Sequence, residues 1–397
     1  MPRSISAPRI VHALLSVTVL ATASLFAGIS RAETFSIETM LPFDYGVTGI
    51  RADTGNNVVM TGGIGPPNMR QGPPAFIYKG PLNAVTSVTT ISDPSLFLFT
   101  PSFGGNPVYG AMFYGPNTHR FNPTAIPEGN IRAVGAYLET GPNDFQKGMM
   151  YDGPLDGTGS WTSLQVPGAD IGITTPHSTM GNLVVGNYNL LTSLSVGHSF
   201  IYDIVSQSYS RLDINNAEAA TIYGIWQNGG EQSTSYTIVG GLVQTASSTG
   251  QGYIASYNAI THAVTGLALY SFADDGTIDT HFEGISAYNG GFSIAANAVS
   301  GGSSPAYAFI PTTGAVGSYV YGQASWTAVI NTINGSSATG DTVIDDRLMG
   351  IYADGIGARS FISSVPEIDP SCIASVLALV LGSLGLLERR RLWLFSA

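Results

Sequence analysis

The chain has 397 residues, 44% hydrophobic and only 10% charged, with 49 glycines and a single cysteine. That balance is too apolar and too weakly charged for a disordered chain, and no Gly-X-Y period marks it as collagen. The lone Cys372 excludes internal disulfides, CxxC zinc sites and iron–sulfur clusters, and 15 Lys+Arg against 26 Asp+Glu exclude the basic stripe that a nucleic-acid partner requires.

Residues 1–32 read as a secretory signal. Arg3 and Arg9 form the positive start, Ala13 to Gly28 the apolar stretch, and Ser30-Arg31-Ala32 a small-x-small site with cleavage after Ala32. The partners this implies are the secretion machinery and signal peptidase. A first transmembrane helix is the alternative reading of the same run. No Arg-Arg pair precedes the run, which points to general secretion rather than twin-arginine export.

The body, residues 33–364, carries nine basic and 23 acidic residues. Helical periodicity is nearly absent, and Gly, Asn, Ser and Thr break the chain into short β-rich runs. The first run is Thr34–Met40, where Phe35 and Ile37 alternate with polar neighbours as in a half-buried strand. Two patterns then recur in step. A small apolar pattern occurs at Val59–Gly63, Ala133–Tyr137, Val184–Tyr188, Ile238–Leu242, Ile294–Ala298 and Leu348–Tyr352. A larger one follows at Phe76-Ile77-Tyr78, Met149-Met150-Tyr151, Phe200-Ile201-Tyr202, Ala255-Ser256-Tyr257, Phe309-Ile310-Pro311 and Phe361-Ile362-Ser363. Centred at 61, 135, 186, 240, 296 and 350, the first pattern has intervals of 74, 51, 54, 56 and 54 residues. Gly-Ile pairs at 49–50, 172–173, 224–225 and 284–285 give a third mark.

A period near 50 with several short strands per unit predicts an all-β fold, a six-bladed β-propeller-like repeat domain. The small pattern is expected on inner strands around a channel, and the Phe-Ile-Tyr strand between adjacent blades. Asn83–Asn130, with Pro101, Pro107, Pro116, Pro123 and Pro127, is expected to be irregular. The last unit stops at Ser364 without an outer strand, so residues 34–40 are expected to pair with 358–364 and close the ring. Tandem β-sandwiches are the alternative architecture. One unit, Gly181–Gly186 followed by Gly197-His198-Ser199-Phe200-Ile201-Tyr202, resembles the HAF-type extracellular repeat.

After the body come Val365, Pro366, Glu367, Ile368, Asp369 and Pro370, an extended hexapeptide whose prolines keep the backbone unpaired. An apolar run, Cys372 to Leu387, is expected to form a short transmembrane helix, and Arg389, Arg390 and Arg391 place its carboxyl end in the cytoplasm. These three parts in this order, over residues 365–391, resemble the PEP-CTERM sorting signal. That resemblance implies an exosortase-like processing enzyme that cuts at the motif and releases the protein to the cell surface or extracellular polysaccharide. A simple C-terminal membrane anchor is the alternative.

Chemistry is hard to find in the body. His12, His119, His177, His198, His262 and His281 show no metal-ligand spacing, and His198 reads as a turn or cap residue. No Gly-x-Ser-x-Gly elbow is present, and Gly62–Gly65 and Gly355–Gly357 read as turns rather than phosphate loops. Asp274-Asp275 with Asp279, and Asp341 with Asp345-Asp346, read as solvated turns rather than calcium loops. Trp161, Trp226 and Trp326 are expected to pack between blades. No catalytic residue, metal site or cofactor is assigned. The expectation is an exported binding or scaffolding module, with a secreted glycosidase or lyase, or an inert matrix protein, as rivals.

Overall fold

The computed structural model describes residues 38–364, apart from 43, 65–73, 142–143, 246, 248, 300–302, 330–336 and 354–357. The predicted signal with Ala32, the motif 365–370, the apolar run and the Arg389–Arg391 cluster therefore lie outside the described residues. No helix among the described residues is long and apolar enough to cross a membrane.

Six antiparallel sheets follow one another along the chain as the blades of a β-propeller. The inner, second, third and outer strands of blade 1 are Tyr45–Ala52, Asn57–Ile64, Ala75–Pro81 and Leu96–Phe99. Blade 2 has Gly110–Thr118, Asn130–Leu138, Lys147–Pro154 and Ser160–Leu164, and blade 3 has Ile171–Met180, Leu183–Leu190, Ser193–Asp203 and Ser208–Leu212. In blade 4 the inner strand is split into Ala219–Ala220 and Gly224–Gln227, followed by Ser235–Val243, Gln251–Asn258 and Val264–Tyr270. Blade 5 runs Asp279–Tyr288, Gly291–Val299 and Ser303–Thr313, with its outer edge split into Val320–Tyr321 and Ser325–Ala328. Blade 6 has Ala338–Ile344, Arg347–Ala353 and Ala358–Ser364, and its outer strand is Glu38–Met40 from the other end of the chain.

That last pairing closes the ring as expected over residues 38–40; residues 34–37 of the expected strand lie outside the described residues. Glu38 lies opposite Ile362, Thr39 opposite Phe361 and Met40 opposite Ser360. Thr39 Oγ1 and Tyr352 OH are 2.7 Å apart, which ties the closing strand to the second strand of the blade.

The apolar residues do not form one core. They form six clusters, one between each pair of neighbouring blades. Ile77, Phe113, Tyr151 and Phe99 fill the wedge between blades 1 and 2, for example, with Trp161 packed against them. Each fully buried large side chain contributes roughly 1.5–3 kcal/mol by leaving water, so the faces shared between blades hold the ring together. Trp326 fills the wedge between blades 4 and 5 in the same way.

Several strand placements differ from expectation. The small Gly/Ala pattern lies on the second strands, not on the inner ones. The position equivalent to Gly135, Gly186, Gly240, Ala296 and Gly350 in blade 1 is Gly62, one residue later than its expected centre. The third-strand partners of Gly240 and Ala296 are Tyr253 and Ala306, upstream of the marks at Ala255 and Phe309. The segment 83–130 is only partly irregular. It contributes to a 3-10 turn at Leu82–Ser87, then supplies the outer strand of blade 1, a small hairpin (Ser102–Phe103 with Asn106–Pro107) and the inner strand of blade 2. The longer irregular stretches in it are residues 88–95 and the loop 119–129.

Candidate functional site

The Gly/Ala pattern on the second strands records a feature of the inner strands. In blades 1, 2, 3, 5 and 6 the inner strand carries a β-bulge at the same height, at Thr48, Tyr114, His177, Glu283 and Asp341. In blade 4 the pairing skips one residue between Ala220 and Gly224, and Tyr223 takes the equivalent place. A bulge adds one residue and re-aims a side chain. It also pushes the preceding carbonyl toward the second strand. A Cβ on Gly62 would stand 1.8 Å from Gly46 O, and one on Gly186 2.2 Å from Thr175 O. Glycine is required there by contact.

The residue after the bulge is small for a related reason. A Cβ on Gly49 would sit 2.0 Å from Tyr114 O, and one on Gly284 2.9 Å from Thr342 Cα. These glycines let neighbouring inner strands meet around the axis. They explain the Gly-Ile marks at 49, 224 and 284. Gly172 does not belong to this series, because the bulge of blade 3 lies further on, at His177.

All six re-aimed residues line one axial chamber of about 60 Å³. Each is partly accessible, while the residues on both sides of it in the strand are buried. In blade order the wall reads Thr48, Tyr114, His177, Tyr223, Glu283, Asp341. The aromatic members are in contact: the His177 and Tyr223 rings stack at 3.7 Å between centroids, and Tyr114 lies 4.8 Å from His177. The acidic members are linked to polar neighbours. Glu283 Oε1 accepts a hydrogen bond from Asn297 Nδ2 at 3.0 Å and lies 3.0 Å from His281 Nδ1. His281 Nε2 is in turn 2.8 Å from Thr221 Oγ1. Asp341 Oδ2 accepts from Thr339 Oγ1 at 3.0 Å.

Where the inner strands end, the chamber has a floor. The Arg51 guanidinium is 5% exposed and donates to the carbonyls of Ile50, Ile225 and Ile285 and to Ser178 Oγ, joining blades 1, 4, 5 and 3. Its Nε has no partner, and Trp226 lies against it at 5.7 Å. Beneath Trp226 the loop 119–129 crosses this end of the ring. Phe121 packs edge-on to Trp226 at 5.3 Å, Asn122 Nδ2 donates to Gly181 O, and Thr124 donates through N and Oγ1 to the Glu231 carboxylate.

Enclosure sets the charge states. Burial pushes the Asp341 carboxyl well above the usual aspartate range, and the neighbouring Glu283 charge adds to the shift. Glu283 is also penalised by burial, but His281, Asn297 and His177 outweigh that and hold it below its ordinary value. Burial lowers the His177 imidazole to about 3, so it is neutral at physiological pH, and raises the Tyr114 hydroxyl to about 12. Arg51 drops only to about 10 through burial and stays charged. Of the two carboxyl groups, Glu283 is the one whose surroundings favour the charged form, and Asp341 the one whose surroundings favour the protonated form.

The two acidic stretches fare differently. Asp275 Oδ1 accepts from Thr277 N and Oγ1, as a turn residue does, whereas Asp279 opens the inner strand of blade 5 and its Oδ1 accepts from Gly250 N. Asp341 is no turn residue. It is separated from Asp345 and Asp346, which lie at the hairpin before Arg347. His198 sits within the third strand of blade 3, opposite Tyr188, rather than in a turn. His119 and His262 make local contacts, with Ile126 O and with Tyr257 OH. Sequence reasoning passed over Thr48, Arg51, Tyr114, Tyr223 and Glu283, and set His177 and His281 aside for want of metal-ligand spacing. For Thr48, Tyr223 and Glu283 the available signal was a polar or aromatic residue directly before a Gly-Ile mark. No group of three His, Cys, Asp or Glu side chains among the described residues could hold a metal ion. Neither a family model nor a curated protein matches this chain in sequence, so the role of the chamber is argued from its own chemistry.

Proposed function

We propose that this chain is an exported propeller that acts as a binding or scaffolding module at the cell surface or in extracellular polysaccharide, delivered there through its PEP-CTERM-like tail. The observation that carries this reading is the position of the ring's seam. Blade 6 is completed by Glu38–Met40 against Ala358–Ser364, so the chain enters and leaves the fold on neighbouring strands at its outer edge. Signal peptidase and an exosortase-like enzyme acting outside residues 38–364 would leave every blade intact. The HAF-like spacing of blade 3 fits the same setting.

The second reading, a polysaccharide glycosidase or lyase, is favoured by the convergence of Glu283 and Asp341. It is disfavoured by size. A chamber of about 60 Å³ closed by Arg51 is far smaller than the roughly 300–1,000 Å³ of ordinary small-molecule sites, and a sugar chain does not pass through it. The chamber therefore reads as a binding site for something small, and the outer surfaces as the sites for large partners. Intact mass of the protein recovered from its producing cells tests the delivery. The expected mass lacks residues 1–32 and ends within 365–370. The mass of the unprocessed chain, or product release from the cells' own polysaccharide by the purified protein, would contradict the reading.

A further inference from the structure

The two sides of the axial chamber differ in chemistry. Blades 2, 3 and 4 contribute Tyr114, His177 and Tyr223, an unbroken aromatic arc. Blades 5 and 6 contribute Glu283 and Asp341. With six blades, each wall residue faces the one three blades on, so Tyr114 faces Glu283 and His177 faces Asp341. We propose that this chamber is a binding site for a small organic cation, an ammonium head group held between the carboxyl pair and the aromatic arc.

Three observations on different atoms point the same way. First, the carboxyl pair has little countercharge. His281 lies beside Glu283, whereas the polar contacts of Asp341 are the Thr339 hydroxyl and backbone. The Arg51 N–H groups are turned to carbonyls and a hydroxyl at the floor. Second, the His177 ring lines the chamber and is neutral at physiological pH, so it sets no positive charge against a cation there. Third, Tyr114 and Tyr223 line the chamber, and a desolvated cation against a tyrosine ring gains from the negative potential of its face. Among the described residues the His, Cys, Asp and Glu side chains do not gather in the threes that would hold a metal ion.

Size and the floor restrict the ligand further. About 60 Å³ admits an ammonium or methylammonium head, with any longer substituent left outside toward the end where the inner strands begin. The buried Arg51 charge repels a second cationic group driven deeper. An ammonium beside Asp341 favours its charged form, so affinity rises with pH through the Asp341 titration, while the groups that face it (Glu283, His177, Tyr114, Tyr223 and Arg51) hold their charge states near neutral pH.

The inference rests on the chamber being a binding site rather than a reaction site, and calorimetry on the full chain separates the two. Methylammonium chloride is titrated at pH 7 in two buffers of different ionisation enthalpy, with sodium, potassium and calcium chloride as controls. The expected result is saturable binding of methylammonium alone, with any proton released from Asp341 read as a difference in heat between the buffers. Binding weakens about tenfold or more in Asp341→Asn and in Tyr223→Leu. Tyr223→Phe, which keeps the ring, binds like the parent, and a urea-unfolding midpoint of Tyr223→Leu close to the parent's separates lost binding from a folding defect. No methylammonium binding, binding that Asp341→Asn leaves unchanged, or saturation by an inorganic cation instead would overturn the proposal. Consumption of the amine, read by NMR of the same sample, would overturn the binding reading itself while leaving the site in place.

Discussion

Arg51 and His177 show how the axis imposes states that neither residue would choose in water. A buried cation normally needs a carboxylate partner. Arg51 instead spends its donors on three carbonyls and one hydroxyl from four blades, so it acts as a cross-strut. Arg51→Met is expected to cost about 3–5 kcal/mol, because the freed acceptors stay buried, and urea unfolding measures it. Removing the imidazole has a cost of the opposite kind. The folded His177 takes a proton only near pH 3, while the unfolded one takes it near 6.5. The unfolded chain therefore binds more protons between those values, and the parent loses stability as pH falls through that window. His177→Gln removes this contribution, so its unfolding midpoint declines less than the parent's between pH 7 and 4.5.

At the level of the strand, one irregularity repeated six times does more for the site than any motif. The bulge turns a polar side chain to the axis, forces a small residue opposite, and in several blades adds a glycine after it. A methyl group on Gly186 would lie within 2.2 Å of Thr175 O and 2.8 Å of Pro176 Cα, both backbone atoms that move only with the strand. Gly186→Ala is expected to lower stability by about 2 kcal/mol or more in urea unfolding. Blade 5 already carries Ala296 at this position, so Ala296→Gly there should cost only about 0.5–1 kcal/mol. The repeat was legible because this constraint leaves its mark in residue size. Its assignment to the inner strand was not, since a glycine facing a bulge and a glycine facing a channel look alike in a sequence. The site residues were hidden for a related cause: His177, Glu283 and Asp341 lie on three separate blades, and only the ring closure brings them together. Asp341 is instructive, because its proximity to Asp345 and Asp346 along the chain suggested a solvated turn.

Over the whole molecule, stability comes from six shared faces and one seam. The propeller period and the closing partner of the final blade could both be read from the chain, because strand count and edge satisfaction are arithmetic on the repeat. Among the described residues the seam is short: Glu38–Met40 adds three residues to blade 6. Met40 is nevertheless 1% exposed and belongs to the cluster between blades 6 and 1. Deleting residues 38–40 is expected to leave the 358–364 edge open and to shift the protein from monomer to higher oligomers in sedimentation. The ring in turn determines the chamber. If the six inner strands meet around a common axis, the imidazole on blade 3 is enclosed by its neighbours and cannot be protonated in the ordinary range. Titration of the histidine rings by NMR in 15N-histidine-labelled protein, with His177 assigned by its loss in His177→Gln, tests this most directly. The account predicts an imidazole that stays neutral well below pH 5; a His177 that titrates near 6.5, like a histidine free in water, would contradict it.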